Sequence, residues 1–310
     1  MNNIICIAGP TASGKTALAV ELAKRFNGEV VSCDSMQIYR RMDIGTAKPF
    51  PEERQGIPHH MIDVADPDED FSVSRYCEMA TPILDDILAR GKTAIIAGGT
   101  GLYMDSLIRG NDFAPFPATG HRQRLEARLE QIGLDALLAE LADVDPEAAE
   151  KSQRNPRRII RALEVYHETG ETITAHNLRT QAIPPRYQPL WIGLDFEPRQ
   201  LLYDRINLRV DIMLRQGLVE EIRALLDSGI PESCTAMQAI GYKEFVDAIH
   251  GRMTIEEAAD QVRIASRHYA KRQLTWFRRN DRMHWLTRRP GEGAEEILSR
   301  ARQLLTETDK

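Results

Sequence analysis

The sequence predicts an α/β fold: a parallel sheet with helices on both faces, interrupted by an all-helical insertion. Three observations lead there. Short apolar runs at residues 4–8, 29–32 and 93–97 alternate with helical patterns at 15–26 and 72–90, the rhythm of parallel strands joined by crossover helices. Segments rich in Gly, Ser, Thr and Asp follow three of these runs, at the carboxyl ends of strands where such sheets bind ligands. From about 112 to 187 the strand patterns cease and leucines recur at helical spacing.

Taken in order, residues 4–8 are apolar throughout and too short for a signal segment or a membrane span. Residues 15–26 carry an amphipathic helix, 29–32 a second strand and 72–90 a helix with Tyr76, Met79, Ile83 and Ile87 on one face. Residues 93–97 make the third strand. Prolines in 111–117 mark a linker, and 122–169 is helical with a break at Asp145-Pro146. A second Pro-rich linker at 183–187 precedes a late apolar strand at 190–194 that can rejoin the sheet, and helices resume from 198 to about 276. The expected organisation is a core of 1–111 plus 188–285, a helical insertion at 112–187 and a C-terminal tail at 286–310.

The 310 residues are 42% hydrophobic and 28% charged, the balance of a chain with a packed core. Four scattered cysteines without a CxxC pair argue against a zinc site and a disulfide framework, and a reducing cytoplasm is the expected location. The net charge is −6, yet Arg154, Arg157, Arg158 and Arg161 cluster, and nine basic residues lie between Arg263 and Arg289 with Asp281 the one acid among them that breaks the run. Two basic clusters on an acidic chain favour an anionic macromolecule over plain solvated faces.

Gly9-Pro10-Thr11-Ala12-Ser13-Gly14-Lys15-Thr16 is GxxxxGK[ST] between a strand and a helix. Its backbone N–H groups can cradle a phosphate, the helix N-terminus adds partial positive charge, Lys15 reaches terminal phosphate oxygens and the Thr16 hydroxyl can ligate Mg²⁺. The core is therefore P-loop NTPase-like, and such a loop ordinarily means ATP or GTP binding. Here the third strand ends in Ala97-Gly98-Gly99, without the acid that usually helps an NTPase hold its magnesium, so the diphosphate held need not belong to a nucleotide. Asp34, in Asp34-Ser35-Met36-Gln37, either takes a proton from a nucleophile or caps the next turn. The glycines of Gly98-Gly99-Thr100-Gly101 permit close approach to a ligand, with Thr100 beside it, or make an ordinary turn. Arg205 and Arg209 share a helix face, and one can turn to a departing diphosphate. Gln238-Ala239-Ile240-Gly241-Tyr242-Lys243-Glu244 offers Tyr242 for base stacking or burial. His59-His60 has no partner at metal spacing.

These segments together resemble the tRNA dimethylallyltransferase (tRNA isopentenyltransferase) family. The most specific are Asp34-Ser35-Met36-Gln37-Ile38-Tyr39, Asp43-Ile44-Gly45-Thr46-Ala47-Lys48-Pro49 and Gly241-Tyr242-Lys243-Glu244, with Asn155-Pro156-Arg157-Arg158 between them. The resemblance runs from residue 4 to about 280. It implies transfer of a dimethylallyl group from dimethylallyl diphosphate to N6 of the adenine 3′ to the anticodon, position 37, in tRNAs reading codons that begin with U. It implies Asp34, Thr100 and Arg209 as catalytic residues, Gly9 to Thr16 as the diphosphate site, and Mg²⁺ on Thr16. It further implies tRNA contacts at Asp34, Ser35, Met36, Gln37, Thr100, Arg122, Arg158, Ile159, Ile160, Arg161, Ala162 and Gln238 through Glu244, with the insertion gripping the anticodon stem-loop. A monomer with no obligate protein partner and no membrane association is expected. On the residues alone two rivals stay open: a nucleoside or shikimate-type kinase, which phosphoryl transfer from ATP would reveal, and an RNA-binding module with a vestigial P-loop, against which the intact Lys15 and Thr16 speak.

Overall fold

Apolar runs that alternate with amphipathic helices have one stable arrangement, a sheet buried on both faces. The computed structural model, which describes residues 3–110 and 119–308, has this arrangement in its larger unit. In chain order the elements are β1 (Ile4–Ala8), α1 (Lys15–Arg25), β2 (Gly28–Cys33), α2 (Pro51–Arg54), β3 (His59–His60), α3 (Val73–Ala89), β4 (Thr93–Gly98) and α4 (Gly101–Arg109). Then come α5 (His121–Val144), α6 (Pro146–Lys151), α7 (Pro156–Thr169), α8 (Ile173–Gln181), β5 (Leu190–Phe196), α9 (Gln200–Arg215) and α10 (Leu218–Asp227). The chain closes with α11 (Lys243–Ile249), α12 (Ile255–Phe277), β6 (Met283–Arg288) and α13 (Ala294–Thr308).

The six strands form one sheet in the order β3-β2-β4-β1-β5-β6, and every pairing is parallel. All residues of β1, β2 and β5 are buried, as strands covered on both faces must be. β1 lies between β4 and β5, so the loop after it opens at the centre of the sheet's carboxyl edge. Two glycines behind this edge serve packing. A Cβ on Gly98 would stand 1.9 Å from the Cys33 carbonyl oxygen, and one on Gly101 would stand 2.3 Å from Trp276 Cδ1.

The segment expected to be a tail is part of this core. β6 pairs with β5 from Trp191–Met283 to Phe196–Arg288, and α13 buries Ile297, Leu298, Ala301 and Leu305 against Ile5, Leu18, Leu22 and Leu190. The misreading has a physical source: β6 is an edge strand whose residues are mixed, Met-His-Trp-Leu-Thr-Arg, so it lacks the continuous apolar run of its neighbours. The amphipathic α13 that follows then looks like one more solvated helix.

The larger unit comprises 1–110 and 186–310, the smaller 111–185. The chain leaves and re-enters the larger unit at one point, where Arg186 and Tyr187 N–H groups donate to the Arg109 and Ile108 carbonyls at 3.2 and 3.1 Å. The linker expected at 111–117 lies outside the described residues. In the smaller unit, helices α5 and α7 share a core of Leu125, Leu137, Leu141, Ile159, Ile160 and Leu163. The expected break falls at Asp145, which caps α6 and also accepts from Thr174 N and Oγ1 at 3.0 and 2.8 Å.

Candidate active site

The loop after β1 turns through Gly14, whose φ of +95° is open to glycine and costly to other residues, into the first turn of α1. This aims the α1 N-terminus and its unpaired N–H groups into the cleft. The Ser13 hydroxyl is buried there without a hydrogen-bond partner, an orphan that an anion's oxygen would satisfy. Lys15 Nζ donates to the carbonyls of Gly9 at 3.1 Å and Pro10 at 2.7 Å. Burial, and then the Arg209 guanidinium, push its ammonium down to about 7, with Asp34 opposing. A lysine so held is short of negative charge and suited to take an anion.

Two arginines on one face of α9 reach the same loop. Arg205 Nε donates to the Ala12 carbonyl at 2.8 Å and Arg209 Nη1 to Thr11 Oγ1 at 3.1 Å. Both turn inward, an outcome the helical spacing alone left open. Burial lowers the pKa of Arg209, partly offset by Asp34. Gln273 of α12, only 5% exposed, braces the loop from the other side. Its Oε1 accepts from Thr11 N at 2.9 Å and its Nε2 donates to the Gly99 carbonyl at 2.9 Å. The glycine at 99 is required by this amide, since a Cβ there would stand 2.1 Å from Nε2. The glycines of the 98–101 segment thus admit the protein's own groups rather than a ligand.

A cavity of about 430 Å³ is lined by the phosphate loop, Asp34, Gln37, Ile44, Phe50, Arg205, Leu208, Arg209 and Ile212. A second, of about 290 Å³, is lined by Asp34, Ser35, Met36, Gln238 to Tyr242, Ser266 and Arg272. They share Thr11, Asp34, Thr46, Ala47, Arg209, Met213 and Tyr269. The two cavities adjoin to make a passage whose one end is the cationic phosphate loop, and Asp34 lines both. Its Oδ1 accepts from Met36 N at 2.9 Å, so the carboxylate both caps its turn and faces the passage. Thr100 Oγ1 accepts from Ser35 N at 3.0 Å and anchors that turn to β4. Tyr269, raised to about 12 by burial and then by Asp34, hydrogen-bonds toward Thr100 and Gln273, and Arg272 lies over its ring at 5.5 Å. Sequence reasoning missed Tyr269 and Gln273: they sit one helical turn apart in a charged helix, and only the helix's placement over the loop gives them a role.

Several residues expected at tRNA contacts are engaged within the chain itself. Tyr242 is fully buried, with its hydroxyl on Glu221 at 2.7 Å, so its ring cannot stack on a base. Gln37 spends its amide inside the chain, accepting from Ser32 Oγ at 3.0 Å and donating to the Thr46 and Ala47 carbonyls. Glu244 is buried and accepts from Gly241 N at 2.8 Å, while Lys243 is exposed. Ile240 and Ala239 are half-buried, and Gln238 is exposed with Nε2 on the Glu232 carbonyl at 2.8 Å. In the smaller unit Ile159, Ile160 and Ala162 face its own core because they lie on the apolar stripe of α7. Arg158 and Arg161 are exposed. Arg122 pairs with Glu126 and Glu164, and Arg161 with Glu164. Much of the basic run after 263 is likewise engaged: Arg263 meets Asp211, Glu256 and Asp260, Arg267 meets Asn207, and Arg278 meets Asp195.

The IPP transferase family profile matches residues 37–280. The tRNA dimethylallyltransferase of Acetivibrio thermocellus is 45% identical over 307 residues, 98% of either chain. That of a Thermoanaerobacter species is 50% identical over 285 residues, covering 91% of this chain and 90% of the relative. The solved tRNA isopentenylpyrophosphate transferase of Bacillus halodurans superposes with a TM-score of 0.74 at 43% identity, covering 100% of this chain and 97% of that one. A eukaryotic dimethylallyltransferase, captured crystallographically while acting on tRNA, superposes with a TM-score of 0.83 at 28% identity over 98% of this chain and 79% of its own. The profile spans most of this sequence and the relatives align with it nearly end to end, so the chain belongs to the IPP transferase family of tRNA dimethylallyltransferases.

Proposed function

We propose that this protein seats dimethylallyl diphosphate on its phosphate loop and transfers the five-carbon group to N6 of adenine 37 in tRNAs that read codons beginning with U. The observation that carries this reading is the passage itself: Lys15, Arg205 and Arg209 gather at one end and Asp34 lines both cavities.

An exocyclic amine is a poor nucleophile because its lone pair is delocalised into the ring. The useful device is to ease the leaving group. The amides of Gly9 to Thr16, with Lys15 and Arg209, bind the diphosphate as the allylic C–O bond breaks and its electron pair passes to oxygen. The N6 lone pair forms the new C–N bond, and the N6 proton passes to the Asp34 carboxylate. The adenine must leave its stack to reach this point, where donor and base together would fill the passage and displace water from the allylic carbon. Thr16 would hold Mg²⁺ together with diphosphate oxygens. Thr16, the second residue of α1, lines the same cavity as Lys15 and Asp34, which suits a hydroxyl ligand beside a diphosphate. When bound, the ion adds charge neutralisation at the leaving group. In the smaller unit, Arg158 and Arg161 on α7 are proposed to meet phosphates of the anticodon stem-loop.

The test is transfer of labelled dimethylallyl from its diphosphate to unmodified tRNA, run beside phosphoryl transfer from γ-labelled ATP. Label at adenine 37 without ATP supports the reading. Phosphate moved from ATP with no label in RNA overturns it.

A further inference from the structure

The segment 43–48 forms a wall of both cavities through Thr46 and Ala47, yet it belongs to no helix or strand. Its own turn, closed by Ala47 N to the Ile44 carbonyl at 3.0 Å and Lys48 N to the Asp43 carbonyl at 2.9 Å, is anchored to the core by side chains. Gln37 holds the Thr46 and Ala47 carbonyls, and a carboxylate from α10 holds the preceding amides. Glu221 Oε2 accepts from Asp43 N and Ile44 N, each at 2.8 Å, and Oε1 accepts from Gly45 N at 3.1 Å and from the Tyr242 hydroxyl at 2.7 Å. Three successive backbone N–H groups converging on one anion form a nest of the kind that binds phosphate, here filled by the protein's own carboxylate. Glu221 lies in the first turn of α10, where the helix dipole also favours its charge. Gly45 is pinned from the opposite side, because a Cβ there would stand 2.4 Å from Tyr242 Cε2.

We infer that Glu221, through Tyr242 and the amides of 43–45, is the positioning residue that fixes this wall and thereby limits the donor to a five-carbon chain. The inference rests on the proposed transfer activity. The reacting carbon has to pass between the phosphate loop and Asp34, beside Thr46 and Ala47. A longer prenyl chain fits there only if this wall moves outward. Charge-assisted hydrogen bonds to four donors hold it in place more firmly than a solvated loop could hold itself. Glu221 touches neither cavity, so it acts through the segment it grips.

The experiment measures kcat and KM for transfer to a tRNA transcript with dimethylallyl diphosphate and with its ten-carbon homologue, geranyl diphosphate. The proteins are the wild type, Glu221→Gln and Tyr242→Phe. Glu221→Gln replaces one acceptor oxygen by an amino group that faces N–H donors. Loss of one charge-assisted hydrogen bond is expected to lower the preference for the short donor about ten- to a hundredfold, through a raised KM for dimethylallyl diphosphate with kcat changed far less. Tyr242→Phe, which removes one donor and keeps the ring, moves the same ratio in the same direction by less, and carries the test if Glu221→Gln fails to fold. A donor preference unchanged in both variants, or an equal fall with both donors accompanied only by a lower Tm, overturns the inference. A wild type that transfers no prenyl group at all overturns the proposed function instead, so the two failures are distinct.

Discussion

Donor binding should weaken as pH rises through 7, because Lys15 must gain a proton to meet the diphosphate. In the free protein its ammonium is pushed down to about 7 by burial and by Arg209. A bound dianion would raise that value again by direct pairing. The sign follows: the complex holds more protons than the free protein above pH 7, so binding takes up a proton there and is favoured on the acid side. With Lys15 about ten parts in eleven charged at pH 6 and one in eleven at pH 8, affinity falls about tenfold across that interval and about ninetyfold by pH 9. Isothermal titration of dimethylallyl diphosphate in buffers of different ionisation enthalpy measures both the affinity and the proton uptake. Lys15→Met supplies the control, since the ligand's own titration appears in both proteins and cancels in their difference. Arg209→Gln should move the inflection upward, by removal of a like charge, whatever it does to absolute affinity. Wild type and Lys15→Met curves that stay parallel from pH 6 to 9, with no excess proton uptake, would show that Lys15 does not titrate on donor binding.

Asp34→Asn should lower the single-turnover transfer rate by roughly 10²–10⁴ while tRNA affinity is kept; lost tRNA binding with an intact rate would sink the proton-acceptor role. Arg158→Ala should weaken tRNA binding across sequences and reduce the slope of log affinity against log salt by about one, read by filter binding at several ionic strengths. Leu298→Ala should cost about 2–5 kcal/mol in urea denaturation because it empties a buried site between α13 and the sheet. A solvated tail would lose less than about 0.5 kcal/mol.

The elements with a continuous local signal were legible in the sequence. β1, α1, β4 and α3 stand within a residue or two of expectation because each is fully apolar or has one apolar stripe. The phosphate loop was legible because its function requires a fixed spacing. β6 and α13 were not: an edge strand of mixed residues has no clear period, and each of its residues pairs with one 92 positions away in sequence. The site roles of Gln273, Tyr269 and Glu221 were hidden for the same reason, as each acts on a loop far from it along the chain. Tyr242 shows the converse. Its surroundings in sequence offered stacking, and burial beneath Gly45 decided against it.

Gln273's two hydrogen bonds also bear on the order in which the chain becomes competent. The phosphate loop is among the first segments made, but its brace comes from residue 273, and the strand that flanks β1 on one side arrives only at residue 190. Pairings this remote in sequence form late, since the intervening chain must be ordered before they stabilise anything. A nascent or truncated chain therefore carries the anion-binding motif without its support. Capacity for the donor becomes a late event of folding, coupled to completion of nearly the whole polypeptide.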